Sequence, residues 1–92
     1  MTLRRKTPLR KRSKRMAAEM VRYNALRAGY LDIVPICEVC DRERSTEIHH
    51  VKPLGRGGER NNLDNFLAVC RGCHNKIHAD PKWAEENGHL KR

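Results

Sequence analysis

Two cysteine pairs of identical spacing, Cys37-x2-Cys40 and Cys70-x2-Cys73, stand 29 residues apart in this 92-residue chain. Each spacing lets one turn present two thiolates to a single ion, so the four sulfurs predict a tetrahedral structural zinc site. The alternative, a pair of disulfides, belongs to small secreted domains. Here the basic N-terminus lacks the apolar stretch of a secretory signal, and no run approaches the length of a membrane span. A soluble, cytoplasmic protein with reduced thiols is expected. The fold also needs such a staple. Hydrophobic residues make up 38% of the chain, with one Trp, one Phe and two Tyr, too little for a large core. A structural zinc supplies roughly 10 to 16 kcal/mol of apparent binding free energy, more than the net stability of a typical domain.

Charge is placed as unevenly as the cysteines. Residues 1–15 carry eight basic side chains and no acid, whereas the remaining 77 hold twelve basic and eleven acidic groups. A segment that polar cannot bury enough surface to offset its ordering entropy, so residues 1–13 read as a disordered arm. Lysines and arginines at that density neutralise phosphates and release counterions, which makes the arm a tether for nucleic acid.

Beyond the arm, Ser13 is placed to cap a helix over residues 14–28, with Met16, Met20, Tyr23 and Arg27 on one face and Gly29 as its stop. The two methionines read as core filler. Strands are expected over 46–51 and 66–69, joined by the glycine- and asparagine-rich segment KPLGRGGERNNLD, too long for a tight turn and therefore expected to be functional. A short helix over 74–79 and a further turn begun by Asp80-Pro81 and ending near Gly88 complete the chain. Trp83 reads as a packing residue, and His89 as a hydrogen-bonded or solvent-facing one.

If the cysteines saturate one ion, His49, His50, His74 and His78 need another purpose. His74 and His78 are four apart, so a helix sets them on one face at a separation compatible with joint ligation. His49 and His50 are adjacent on a strand and point to opposite faces, which gives them different tasks. A neutral imidazole suits general-base work on water near neutral pH.

The stretches CEVC, EIHHVKPLGRGG and LDNFLAVCRGCHNKIH, covering about residues 36–80, resemble the zinc-bearing HNH endonucleases. The resemblance implies an α+β fold: a small ββα-metal (His-Me finger) domain over residues 14–92, its core at about 36–80, stapled by Cys37, Cys40, Cys70 and Cys73 and preceded by the N-terminal helix and basic arm. It implies metal-dependent hydrolysis of DNA phosphodiester bonds, by nicking or double-strand cutting, with 5′-phosphate and 3′-hydroxyl products. Residue by residue, His50 matches the general base, and Asn65 the middle Asn that braces the loop and helps orient the base, with Asn62 as its competitor. His49 and His74 match ligands of a catalytic divalent metal (Mg2+, Mn2+, Ni2+ or Zn2+), and His78 the third ligand found in one branch of the family. Lys52, Arg56, Arg60 and Lys76 flank this site as candidate DNA contacts, while Gly55, Gly57 and Gly58 would let the loop approach phosphates closely. Members of this size resemble stand-alone phage or prophage nucleases, which implies a larger packaging or replication protein as a partner beside DNA.

Two other readings compete. A non-catalytic nucleic-acid-binding zinc module would use the histidines structurally, although a pure binder has no need of His50 beside an open metal site. Alternatively, cysteines and histidines mix in a finger-like site, which the two intact pairs and their long separation disfavour.

Overall fold

Ser13 caps the first helix, its hydroxyl accepting the Met16 amide at 3.1 Å, and α1 runs over Lys14–Ile33. The computed structural model describes residues 13–91, so the expected basic arm lies, apart from Ser13, outside the described residues. The sequence predicts a stop at Gly29, but the helix passes through it and ends at Val34, directly before Pro35. Proline bars its predecessor from the helical region, and Val34 sits accordingly at φ −117°, ψ 74°. A mid-helix glycine costs about 1 kcal/mol. Against that, the extra turn carries Tyr30 onto the sheet, its ring 5.6 Å from Phe66 and its hydroxyl donating to Glu38 Oε2 at 2.9 Å. No residue of α1 is fully buried, but Met16, Met20, Tyr23 and Arg27 all lie on its half-buried face, as their spacing predicts.

Residues 35–45 form a knuckle. Ile36 and Arg44 make an isolated antiparallel bridge, Cys37 N–H donates to Glu43 O at 2.8 Å, and Asp41 takes the left-handed conformation with φ 55°. Asp tolerates that region better than most residues do.

Strands β1 (Glu47–His50) and β2 (Phe66–Val69) pair antiparallel, with Glu47 opposite Val69 and His50 opposite Phe66. Alternation gives the sheet two faces. Phe66 and His50 meet Tyr23 and Tyr30 of α1, whereas Leu67 and Val69 join the core cluster of Cys37, Ile77 and Ala84 beneath α2 and α3. Helix α2 spans Arg71–Ala79, a turn earlier than the sequence suggests, because Cys70 is its cap: the sulfur accepts the Cys73 amide at 3.4 Å. Helix α3 spans Pro81–Glu86 behind the Asp80 cap, and Gly88, at φ 78°, turns the chain back. The tail then returns to the residue just past the end of β1, where Lys91 N–H donates to Val51 O at 2.9 Å. Among the described residues no helix is long and apolar enough to cross a membrane.

Candidate metal centres and active site

The knuckle supplies Cys37 and Cys40, the end of β2 supplies Cys70, and the first turn of α2 supplies Cys73. Their four sulfurs all lie within 4.8 Å of one another. Backbone N–H groups of Val39, Glu43 and Cys73 approach the sulfurs of Cys37, Cys40 and Cys70 at 3.4 to 3.5 Å. Such donors favour thiolate, and the amides of Glu43 and Arg42 hold the Cys40 thiol down at about 7. Burial and the neighbouring thiols push Cys73 the opposite way. Four thiolates this close repel unless a cation lies among them, so the donor set fits zinc.

A second donor cluster lies beside the first. Nitrogens of His49, His74 and His78 are within 4.8 Å of one another, with ring centroids 4.8 to 5.9 Å apart. Strand β1 delivers His49 to the α2 face of the sheet, and one turn of α2 stacks the other two. His49 is 4% exposed, and its Nε2–H donates to the His89 carbonyl at 2.8 Å. His74 Nδ1 donates to Glu47 Oε1 at 2.8 Å, while Arg71 holds the second oxygen of that carboxylate at 3.1 Å. The hydrogen bond from His74 keeps the Glu47 carboxyl below its ordinary range. Burial pushes the His49 imidazole down to about 4, which keeps it neutral, the form a metal ligand needs. The His49 and His74 rings thus each commit one nitrogen to a fixed acceptor and leave the other free, the arrangement that orients ligating imidazoles, while His78 is the exposed member of the three. This donor set fits a divalent first-row cation.

His50, pointing the other way from β1, stays out of that cluster. Its Nε2–H donates to the Arg60 carbonyl at 3.1 Å, leaving Nδ1 as the free basic nitrogen. Even so, all four histidines line one cleft of about 470 Å³, together with Pro53 and Leu54. Asn65, 9% exposed, spans the loop between the strands. It accepts the Lys52 amide at 2.7 Å and donates to the carbonyls of Lys52 and Glu59, at 3.0 and 3.2 Å. Asn62 is otherwise engaged, capping the 3₁₀ turn Leu63–Asn65 by accepting the Asp64 amide.

The candidate DNA contacts diverge. Lys52 and Arg56 are exposed and make no ion pair among the described residues. Lys76 stands over the Trp83 ring, 4.1 Å from its centroid. Arg60 turns away to α1, its Nη1 lying 3.3 Å from both Glu19 Oε1 and Met16 Sδ. Of the three loop glycines, Gly55 and Gly57 are exposed, and only Gly55 has neither a left-handed backbone nor a neighbour within 4 Å of its Cβ position. Gly57 has φ 89°, and a Cβ on Gly58 would overlap the Lys52 carbonyl oxygen, so these two serve the loop's own backbone.

Sequence reasoning misses three parts of the site. Glu47 carries a usable signal, since it lies two residues before His49 and so shares its face of the strand. The carbonyls of His89 and Arg60 carry none, because any residue type presents one. Comparison with family models then adds an independent line: the model of the HNH endonucleases matches residues 37–80, a span that includes every cysteine and histidine of both clusters. No curated protein and no solved structure matches the chain. A four-cysteine cluster, a three-imidazole cluster and that match converge on one segment, and over residues 37–80 the chain carries a domain of the HNH endonuclease family.

Proposed function

We propose that the chain is a metal-dependent DNA endonuclease in which His50 is the general base, and His49, His74 and His78 hold the catalytic divalent cation. The HNH domain itself indicates nuclease activity. The observation that carries the finer reading is the division of labour within one cleft. Three imidazoles converge, each of the two more buried ones anchored through its second nitrogen, while the fourth is held apart with a basic nitrogen free.

A cation bound by the three histidines would supply Lewis-acid polarisation of a phosphate oxygen and stabilise charge on the departing 3′ oxygen. His50 takes the proton of the attacking water at Nδ1, and its Nε2–H, donated to the Arg60 carbonyl, fixes the tautomer in which Nδ1 is basic. Asn65 holds the Glu59 carbonyl next to Arg60, so its amide keeps the acceptor of His50 in place. Lys52 and Arg56 are free to neutralise the backbone phosphates on either side, and hydrolysis leaves 5′-phosphate and 3′-hydroxyl ends. Plasmid nicking with Mg2+ or Mn2+ tests the proposal. Wild type converts supercoiled to open-circular DNA, and His50→Ala is slower by about 10² to 10⁴. Equal rates for the two proteins would remove the base assignment.

A further inference from the structure

The imidazole of His50 is enclosed on three sides. The Arg60 carbonyl takes its Nε2–H, Phe66 meets it edge-on with centroids 5.5 Å apart at 90°, and the Tyr23 ring lies 5.6 Å away, tilted by 30°. Phe66 and Arg60 belong to the family-matched segment, whereas Tyr23 lies on α1, outside it. Four residues earlier on the same inner face of α1 is Glu19, which reaches the same assembly by a second route. Its carboxylate takes the Arg60 guanidinium at 3.3 Å, and its backbone carbonyl accepts Asn61 Nδ2–H at 3.2 Å.

A neutral imidazole interconverts readily between its two tautomers unless an acceptor selects one, and an acceptor selects only if it is itself fixed. The Arg60 carbonyl is held from the loop side by Asn65 acting on Glu59. From the opposite side it is held by Glu19, through both the Arg60 side chain and its neighbour Asn61. The matched segment therefore supplies half of the clamp, and α1 supplies the other half together with the Tyr23 ring beside the imidazole.

We propose that α1 is a positioning element of the catalytic site: Glu19, acting through Arg60, and Tyr23, acting on the ring itself, hold His50 in its Nε2–H tautomer with Nδ1 free. This rests on the reading of His50 as the base. The test uses the full-length, zinc-loaded chain with ¹⁵N-labelled histidine, so that the ring nitrogens are read without reference to activity, alongside steady-state cleavage of a DNA duplex.

Wild type shows His50 with one protonated and one bare nitrogen. In Glu19→Ala and Tyr23→Leu both signals move toward the tautomer average, and kcat falls about ten- to a hundredfold at unchanged KM. Glu19→Gln and Tyr23→Phe, which restore the hydrogen bond and the flat ring, recover most of both losses, and Asn24→Ala on the exposed face changes neither. Helix content and zinc stoichiometry establish that each variant is folded; should Glu19→Ala fail this, Tyr23→Leu decides. Wild-type ring signals in the folded variants, or a change in KM alone, would overturn the proposal. Cleavage by His50→Ala at the wild-type rate would instead remove the base assignment, while the nitrogen signals still decide whether α1 holds the ring.

Discussion

Single residues in this chain are constrained mostly by backbone atoms, and Gly58 shows how tightly. A methyl group there would collide with the Lys52 carbonyl, which cannot shift because Asn65 grips both the amide and the carbonyl of Lys52. Gly58→Ala should destabilise the fold by about 1 to 3 kcal/mol, whereas Gly55→Ala, with open space at its Cβ, should be neutral or stabilising by about 0.5 kcal/mol. Denaturant midpoints of the two variants measure the difference. Tyr30 gives a prediction in pH. Burial and then its hydrogen bond to Glu38 raise the phenol to about 12, against an ordinary value of 10. The unfolded chain therefore loses this proton first, and the contribution of Tyr30 to stability, complete below pH 10, disappears as pH rises through about 12. Tyrosinate absorbance should show this late ionisation, and Glu38→Gln should bring it earlier. At this scale the sequence was legible where side-chain chemistry carries the signal, as in the four cysteines and in His49 and His50 facing opposite ways. It was silent where carbonyls do the work, as at Arg60 and His89.

At the scale of elements, both strands were readable from β-rich runs, and β2 matches to the residue. The helix boundaries were not, and the reasons are local. Propensity marks Gly29 as a stop, but the Tyr30 contacts with Phe66 and Glu38 outweigh it, leaving Pro35 to end α1. At α2 a sulfur performs the capping that sequence rules assign to Ser, Thr, Asp or Asn, so the helix opens at Arg71. That same sulfur belongs to the four-cysteine cluster, which ties together the knuckle, the end of β2 and the start of α2. The core cluster that Val69, Ile77 and Ala84 form with Cys37 is small, and three of the four cysteines' own side chains border it. Removing one zinc per chain with a thiol-specific mercurial should therefore unfold the domain rather than loosen it, since the binding free energy lost, roughly 10 kcal/mol or more, exceeds a typical net stability. Trp83, packed on this cluster, reports the change by fluorescence. The same treatment of a His49→Ala, His74→Ala double variant should release the same single zinc. Retention of native helix content after zinc release would refute a stabilising zinc.

For the whole molecule the governing quantity is where its charge resides. The formal net charge is +9, and residues 1–12 contribute Arg4, Arg5, Lys6, Arg10, Lys11 and Arg12 without a compensating acid. The remainder holds fourteen basic and eleven acidic groups, a balance of +3, and several of its cations are already engaged: Arg60 with Glu19, Arg71 with Glu47, Lys76 on Trp83. Affinity for DNA should then come mainly from the terminal segment, and chemistry from the cleft. The two are separable by salt. Each phosphate neutralised on duplex DNA adds about −0.9 to the slope of log affinity against log salt. Deleting residues 1–12 should make that slope shallower by up to about 5, with a large loss of affinity at low salt and little at high salt. Cleavage at saturating DNA should be much less affected, because α1, the clamp on His50 and both donor clusters all lie within residues 13–91. Binding isotherms of a His50→Ala background across a salt series measure the first effect, and kcat of the truncated active protein the second. An unchanged slope after the deletion would mean that the folded domain, through Lys52, Arg56 and the α1 arginines, makes the phosphate contacts itself.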